Sequence, residues 1–523
     1  MGATPTLSRR RRTLAAALLL AVATLVAGCG IGGDDGEERA FDAGDPSFVV
    51  IQTDDAAPEL ISPRAMPRSF KALRERGGTL FTNYITVTPL CCPSRATLLT
   101  GQYAHNHGVL SNDPGYPSMI APDNALPAWL ERDGYETVHL GKFLNESAGR
   151  ASGVRPGGWT RWETALEPNR YFDYKIQFDG PDGPKEEFGS DPEDYFTTRL
   201  NSVAVETIEE LATDDRPFYL EIDHEAPHKK EGVPGDACPD EGAPVPAPRD
   251  RDLVGSLPVR LSPAAREQDL ADKPPHIREQ ITPLTDAERE RIERNLQCAA
   301  AAMNELDRGV RNVLESIEEA GIADRTAVLV INDNGFFFGE HGLVAGKTLP
   351  YEPALRSPML AWIPPDLAGG EPPRRVDELT ANLDLAPTFL ELARAEPCVG
   401  EDGCRTVDGV SQLPLWRGET GDSYRDRALL IEASGTARFA SEPGRACEWT
   451  GVRTAHETYV QYTRLPRTSD FKCVPVDERE YYDLRTDPHQ LENSVDDPAT
   501  AERTAELRAT LERLHGCSGE SCR

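Results

Sequence analysis

"SFVVIQT", residues 47–53, is an unbroken run of apolar and β-branched residues, and Asp54 and Asp55 follow it directly. A strand with one wet face alternates polar and apolar positions, so a continuous run of this length predicts a strand buried on both faces. Four more stretches have a similar texture: "ETVHLG" at 136–141, "FYLEID" at 218–223, "AVLVIN" at 327–332 and "MLAWIP" at 359–364. Helical periods lie among them, over 124–134, 194–212, 285–321 and 378–394. Strands alternating with helices predict an α/β fold, a mostly parallel sheet sandwiched by helices.

Working outward, the main domain is expected over 47–395. Residues 229–284, heavy in Pro, Gly and charge, read as a surface excursion from it. From about residue 396 the runs shorten to "RALLIEA", "YVQYTRL" and "REYYDL", which predicts a small C-terminal antiparallel-sheet subdomain over 396–523.

The first 28 residues have a different character. Arg9–Arg12 precede an apolar run of about 15 residues, too short to span a bilayer comfortably and suited to a signal peptide. It ends in Val26-Ala27-Gly28-Cys29, which resembles the bacterial lipobox, so Cys29 is expected to carry lipid and anchor an exported protein to the membrane. Residues 29–46, rich in Gly and Asp, suit a flexible tether. Both the general and the twin-arginine export routes stay open.

The formal charge is −31, and loss of residues 1–28 removes four arginines and no acid, which makes it −35. Such a surface repels nucleic acid and long polyanions, so no nucleic-acid partner is expected, and an anionic substrate needs a local cationic pocket. Eleven cysteines suit an oxidising compartment. Sequence proximity groups Cys238 with Cys298, Cys398 with Cys404, Cys447 with Cys473 and Cys517 with Cys522. Cys29, Cys91 and Cys92 stand outside these pairs.

Candidate chemistry collects at strand ends, where open α/β sheets bind ligands. Asp54 and Asp55 follow one strand, and Asp333 and Asn334 follow another. Three carboxylates and an amide oxygen make a hard donor set suited to Ca²⁺ or Mg²⁺. "TPLCCPSRATLLTG", residues 88–101, runs into a short helix at "SRATLLTG", so Cys91, Ser94 and Arg95 would surround an anion at its N-terminus. Taken alone, Cys91 and Cys92 could equally be buried thiols or disulfide partners.

Cys91-x-Pro93-Ser94-Arg95-x-x-x-Leu99-Thr100-Gly101 resembles the signature of the formylglycine-dependent (type I) sulfatase family, C-x-P-S-R-x-x-x-L-T-G, whose cysteine is oxidised to formylglycine after translation. The resemblance continues through "GYETVHLGK", "APH", "DNG", "GEHGLVAGK" and "EYYDLRTDPHQLEN". It implies an alkaline-phosphatase-like fold and hydrolysis of a sulfate monoester. It also implies a maturing partner, the formylglycine-generating enzyme. The roles implied are Cys91 as nucleophile precursor, and Asp54, Asp55, Asp333 and Asn334 with residue 91 around a divalent cation, usually Ca²⁺, Mg²⁺ being the alternative. Asp333 would also help deprotonate the attacking hydroxyl. Arg95 would support the hydrated aldehyde, Lys142 and Lys347 would bind sulfate oxygens, and His228 would contact sulfate or protonate the leaving alcohol. Many members carry a histidine two residues after the lysine of Gly141-Lys142, where this chain has Leu144. Gly-Lys-aromatic-Leu-Asn, with "LCCPSR" and "HNH" at 105–107, is similar to the N-acetylglucosamine-6-sulfatase branch, which implies a sulfated amino sugar or oligosaccharide. His105, His107 and His139 are candidate substitutes for the missing histidine. Asn145 and His341, with His105 and His107, are candidate substrate contacts.

Two rival readings stay open: a phosphonate monoester or phosphodiester hydrolase of the same superfamily, and a glycan-binding lipoprotein whose Cys91 is never modified. The leader makes its own prediction. Cys29→Ser is expected to move the exported protein from the membrane to the soluble fraction on detergent partitioning, and unchanged membrane retention would contradict the lipobox reading.

Overall fold

In the computed structural model, Ser47–Thr53 is a strand buried along its whole length. The structure describes residues 45–523 apart from 146–154, 167–168, 181–182, 231–237, 239–242, 280, 401–402, 435–445 and 465–473. The leader, lipobox and most of the tether therefore lie outside the described residues. Ser47–Thr53 pairs in parallel with Phe218–Asp223 on one side and Thr326–Asn332 on the other. Glu136–Gly141 and then Arg161–Ala165 extend the parallel order beyond Phe218–Asp223. Outside this block the pairing is mixed. Met359–Trp362 runs antiparallel to both Thr326–Asn332 and Thr79–Phe81, and Arg375–Val376 forms one edge. Lys175–Phe178 and Lys185–Glu187 complete the other edge, giving ten strands among the described residues.

Alternate side chains of the central strands feed two cores, as the strand period of two requires. Val49, Ile51, Leu220, Ile222, Val328 and Val330 pack with the helices Phe196–Leu211 and Asp286–Glu319. Phe48, Val50, Tyr219, Leu329 and Ile331 pack on the opposite face with Cys91–Thr100 and Leu385–Ala393. Each fully buried large apolar side chain contributes about 1.5–3 kcal/mol, which is why these strands read so plainly as continuous runs. The long helix starts at a capping box. The Glu288 amide donates to Thr285 Oγ1 at 3.3 Å and the Thr285 amide to Glu288 Oε2 at 2.8 Å.

The second sheet has four antiparallel strands in sequence order: Ala428–Ser434, Ala446–Thr454, Glu457–Arg464 and Val474–Asp483. Ala428–Ser434 opens that sheet, and before it Leu413, Leu415, Trp416 and Tyr424 pack with Phe389 and Leu390 of the main core. The described part of 229–284 is also more than a surface excursion. Val259, Lys273, His276 and Ile277 within it are buried, and it is tied to the rest of the chain by the Cys238–Cys298 disulfide and by Lys273 Nζ, which donates to the Gln490 and Leu491 carbonyls at 3.1 and 3.0 Å.

Disulfides join Cys238 to Cys298, Cys398 to Cys404 and Cys517 to Cys522, the pairs that sequence proximity suggests. Cys473 lies outside the described residues. Cys91 and Cys92 are free and buried. Among the described residues no helix is long and apolar enough to cross a membrane.

Candidate active site

Four neighbouring parallel strands end at one edge, and each delivers polar residues there. Thr53 pairs with Asn332, which sets Asp54 and Asp55 beside Asp333 and Asn334. Phe218–Asp223 leads into His224, Glu225 and His228, and Glu136–Gly141 leads into Lys142. Gly141 has a φ of +107°, and a Cβ there would come within 2.1 Å of the Asp223 carbonyl oxygen, so the turn into Lys142 requires glycine.

The helix that meets this edge begins at Cys91, three residues earlier than "SRATLLTG" suggests. Pro93 sits in its first turn, where proline removes no hydrogen bond. Cys91 thus occupies the first helical position, one turn before Arg95. The Cys91 Sγ lies 3.7 Å from Asp54 Oδ1 and 2.7 Å from Lys347 Nζ. Burial, with Asp54 adding, pushes the Cys91 thiol well up against the opposing pull of Lys347 and Lys142.

Arg95, 2 % exposed, links all four of the strand ends. Its Nε and Nη2 donate to Asp333 Oδ2 at 3.1 and 3.0 Å, and its Nη1 donates to Asp223 Oδ1 and the Lys142 carbonyl, both at 2.9 Å. Asp54 Oδ2 is a further 3.4 Å contact of Nη2. Lys142 Nζ pairs with Asp54, donates to Asn169 Oδ1 at 3.2 Å and lies 3.9 Å from Glu225 Oε2. Lys347 Nζ pairs with Asp55 and donates to Asn334 Oδ1 at 3.2 Å.

These neighbours push the acids apart. For Asp54, burial is the largest influence and raises the carboxyl, but Lys142, His228, Arg95 and Lys347 together outweigh it and hold it below the usual range. Asp333 goes up to about 6, chiefly by burial and then by the Asp54 charge. Glu225, fully buried, is raised to about 7 by burial despite Lys142.

Asp54, Asp55, Cys91 and His228 present ligand atoms within 4.8 Å of one another. Asp55 has a left-handed backbone, φ 62°, and its buried Oδ2 accepts no hydrogen bond, with His228 Nε2 3.4 Å away. An orphaned buried carboxylate oxygen beside a second carboxylate fits a hard divalent cation. Of the five residues expected around that ion, Asp54, Asp55 and Cys91 join this group. Asp333 turns toward Arg95, and Asn334 donates Nδ2 to Asp55 Oδ1 at 2.6 Å.

His228 Nδ1 bonds to the Lys229 carbonyl at 2.7 Å, which leaves Nε2 facing the cluster. Burial lowers its pKa to about 4. The other candidate histidines have partners of their own, and His139 stays beside the site. His139 Nε2 lies 3.1 Å from Asp223 Oδ2, its ring stacked on Trp162 behind Arg95. His107 bonds Thr97 at 3.1 Å, His341 bonds Glu267 at 2.7 Å, and His105 bonds Glu432 and the Cys517 carbonyl, each at 2.9 Å. Asn145 donates its amide to Cys92 Sγ at 3.2 Å and its Nδ2 to the Asn112 carbonyl at 3.2 Å. Leu144 is buried in the apolar core.

Sequence reasoning missed Asp223, Glu225 and Asn169. Asp223 ends a strand just as Asn332 does and was open to the same strand-edge rule. Asn169 sits in irregular chain, in no motif, and joins the site through Lys142.

The sulfatase family profile matches residues 46–395, and the profile of the N-sulphoglucosamine sulphohydrolase C-terminal region matches 339–516. The chain is 31 % identical to an arylsulfatase of Volvox carteri over 91 % of its own length and 75 % of that protein. It is 28 % identical to the N-acetylglucosamine-6-sulfatase of Capra hircus over 91 % and 85 %. Its fold is that of BT4656, solved in complex with its substrate D-glucosamine-2-N,6-O-disulfate, with a TM-score of 0.69, 21 % identity and coverage of 90 % and 98 %. The phosphonate monoester hydrolase of Agrobacterium radiobacter shares that fold at a TM-score of 0.66, 19 % identity and coverage of 90 % and 95 %. The chain belongs to the sulfatase family and is a sulfuric ester hydrolase, built on the alkaline-phosphatase-like sheet with its separate small antiparallel sheet.

The commitment of His105 is testable. Burial works against its charge, but the Glu432 hydrogen bond and charge prevail and raise it to about 9. A raised histidine contributes stability fully below its unfolded pKa of about 6.5 and loses it as pH climbs through the folded value. The Tm gap between wild type and His105→Gln is therefore expected to be about 1–3 °C at pH 6 and to close by pH 10. A gap unchanged at pH 10 would contradict the clasp.

Proposed function

We propose that the protein hydrolyses a 6-O-sulfate monoester on a glucosamine-type mono- or oligosaccharide, with residue 91 matured to formylglycine and a divalent cation, Ca²⁺ in preference to Mg²⁺, beside it. The observation that carries this reading is the convergence of Cys91, Asp54, Asp55, His228 and Lys347 at one strand edge. The donor chemistry supports it as well. A thiol is a soft ligand among hard carboxylates, and replacing its sulfur by oxygen removes the mismatch. The N-acetylglucosamine-6-sulfatase relatives support the sugar class.

Asp54, Asp55 and residue 91, with Asp333 and Asn334 close behind, would hold the cation, which supplies positive charge against a sulfate oxygen. The hydrated aldehyde supplies two hydroxyls on one carbon, one to attack sulfur and one whose deprotonation later releases sulfate. The remaining work belongs to the chain. Lys142 and Lys347 provide fixed positive charge for the other sulfate oxygens, and burial strengthens it. Arg95 keeps Asp333 and Asp223 in place, and Asp333 accepts the proton of the attacking hydroxyl. His228, fixed through Nδ1, turns Nε2 to the leaving oxygen and, once protonated there, gives it the proton with which it departs as an alcohol. The acidic surface disfavours a long polyanion and leaves a short sulfated sugar as substrate.

Matured protein is expected to release sulfate from N-acetylglucosamine 6-sulfate with a kcat/KM at least about 100-fold above that for phosphonate monoesters, phosphodiesters or simple aryl sulfates. Faster turnover of aryl sulfates than of every sulfated sugar would overturn the substrate class. Faster turnover of phosphonates than of sulfates would move the protein to the hydrolase reading. Tight glycan binding with no sulfate release would favour the non-catalytic reading.

A further inference from the structure

Lys347 reaches the Cys91 cluster from an irregular segment whose backbone is unusual at several points. His341 has a φ of 55°, Gly346 of 119° and Thr348 of 76°. For a β-branched residue such as Thr348 the left-handed region is strongly disfavoured, and a conformation of this kind persists only where its surroundings impose it. Three contacts from outside the segment hold it. His341 bonds Glu267 of the 229–284 stretch, and Tyr351 donates its hydroxyl to Glu480 at 2.9 Å. Between them Trp449 donates its indole N–H to the Thr348 carbonyl at 2.7 Å.

Trp449 belongs to the second sheet, on the strand Ala446–Thr454, where it pairs with Ala433 and Tyr462 and is 4 % exposed. Its ring is packed in the core of that sheet, and its single polar atom is spent on the residue next to Lys347. Lys347 in turn places Nζ 2.7 Å from Cys91 Sγ and against Asp55 and Asn334.

We propose that Trp449 is a positioning residue for sulfate ester hydrolysis: by holding the Thr348 carbonyl it fixes the backbone from which Lys347 reaches residue 91. This assigns the C-terminal sheet a part in the reaction, although it contributes no side chain to the cluster of Asp54, Asp55, Cys91 and His228. The proposal rests on the reading of Lys347 as a sulfate-binding cation. Its energetic logic is that of preorganisation: without the indole bond Thr348 relaxes toward negative φ, Lys347 swings, and a misplacement of about 1 Å at a reacting centre costs up to about 100-fold in rate.

The test measures sulfate release and Tm for Trp449→Phe, Lys347→Ala, Thr348→Gly and their pairwise combinations, each in matured protein. Trp449→Phe is expected to lower kcat about 10- to 100-fold with little change in Tm. That loss is expected to vanish in the Lys347→Ala background, because a residue acting through Lys347 has nothing left to position. Thr348→Gly, which adopts positive φ without strain, is expected to restore part of the rate to Trp449→Phe. Should Trp449→Phe unfold the C-terminal sheet, β-(3-benzothienyl)alanine at position 449 keeps the bicyclic shape and removes only the N–H, and the same losses are expected of it.

A wild-type rate for the N–H-deleted protein beside a slow Lys347→Ala would overturn the positioning role. So would a loss that simply adds to that of Lys347→Ala, or a Trp449→Phe/Thr348→Gly protein no faster than Trp449→Phe. A wild-type rate for Lys347→Ala itself would overturn the reading of Lys347 and the proposal with it, and is distinguished from the other failures by that single variant.

Discussion

The guanidinium of Arg95 is the interaction on which the site depends. Three adjacent parallel strands deliver Asp333, Asp54 and Asp223 to one edge, where buried carboxylates crowd together and need a cation between them. Arg95 bonds Asp333 and Asp223 directly and lies against Asp54. Its planar fork suits several carboxylates at once, as the point charge of a lysine would not. Removing one partner of such a buried group leaves an uncompensated charge, so the arrangement behaves as a unit. The same side chain stands one helical turn from Cys91, and its Nη1 also holds the Lys142 carbonyl. Cys91, the Asp54–Asp333 pair and Lys142 thus share one anchor.

Around this anchor the two remaining lysines are placed by different means. Lys142 follows a strand directly, and its backbone is set by the glycine turn at Gly141. Lys347 comes from irregular chain, and its backbone is held from the 229–284 stretch and from the second sheet. The peripheral parts of the molecule, which supply none of the four clustered ligand atoms, therefore bear on its geometry.

Much of this was legible beforehand because the physics is local. Ser47–Thr53, Glu136–Gly141 and Phe218–Asp223 coincide with the apolar runs, since strands buried on both faces admit little else. The long helix was legible in the helical period over 285–321. Other elements were hidden where tertiary pairing decides. "ELTANLDLAPTFLELAR" reads as one helix, but Thr380–Ala381 pairs with Tyr84–Ile85 and the α-helix starts only at Leu385. The strand Ala446–Thr454 mixes Gly and charge in "ACEWTGVRT" and has no periodic signature of its own. Sequence cannot show which histidines face a site. His105, His107, His139 and His341 look equally available in the chain, and only the fold commits them to Glu432, Thr97, Asp223 and Glu267. Of the three proposed as stand-ins for a histidine at Leu144, His139 lies nearest the site, against Asp223 and the Lys142 carbonyl.

Residue 91 decides the chemistry proposed for this strand edge. Peptide mass spectrometry of the fragment containing it, from protein produced in a host with the formylglycine-generating enzyme, tests this most directly. An aldehyde or its hydrate at position 91, with Cys92 still a thiol, is the predicted result. An intact Cys91 thiol or a Cys91–Cys92 disulfide in that host would contradict the account, because the strand-edge site would then lack its nucleophile.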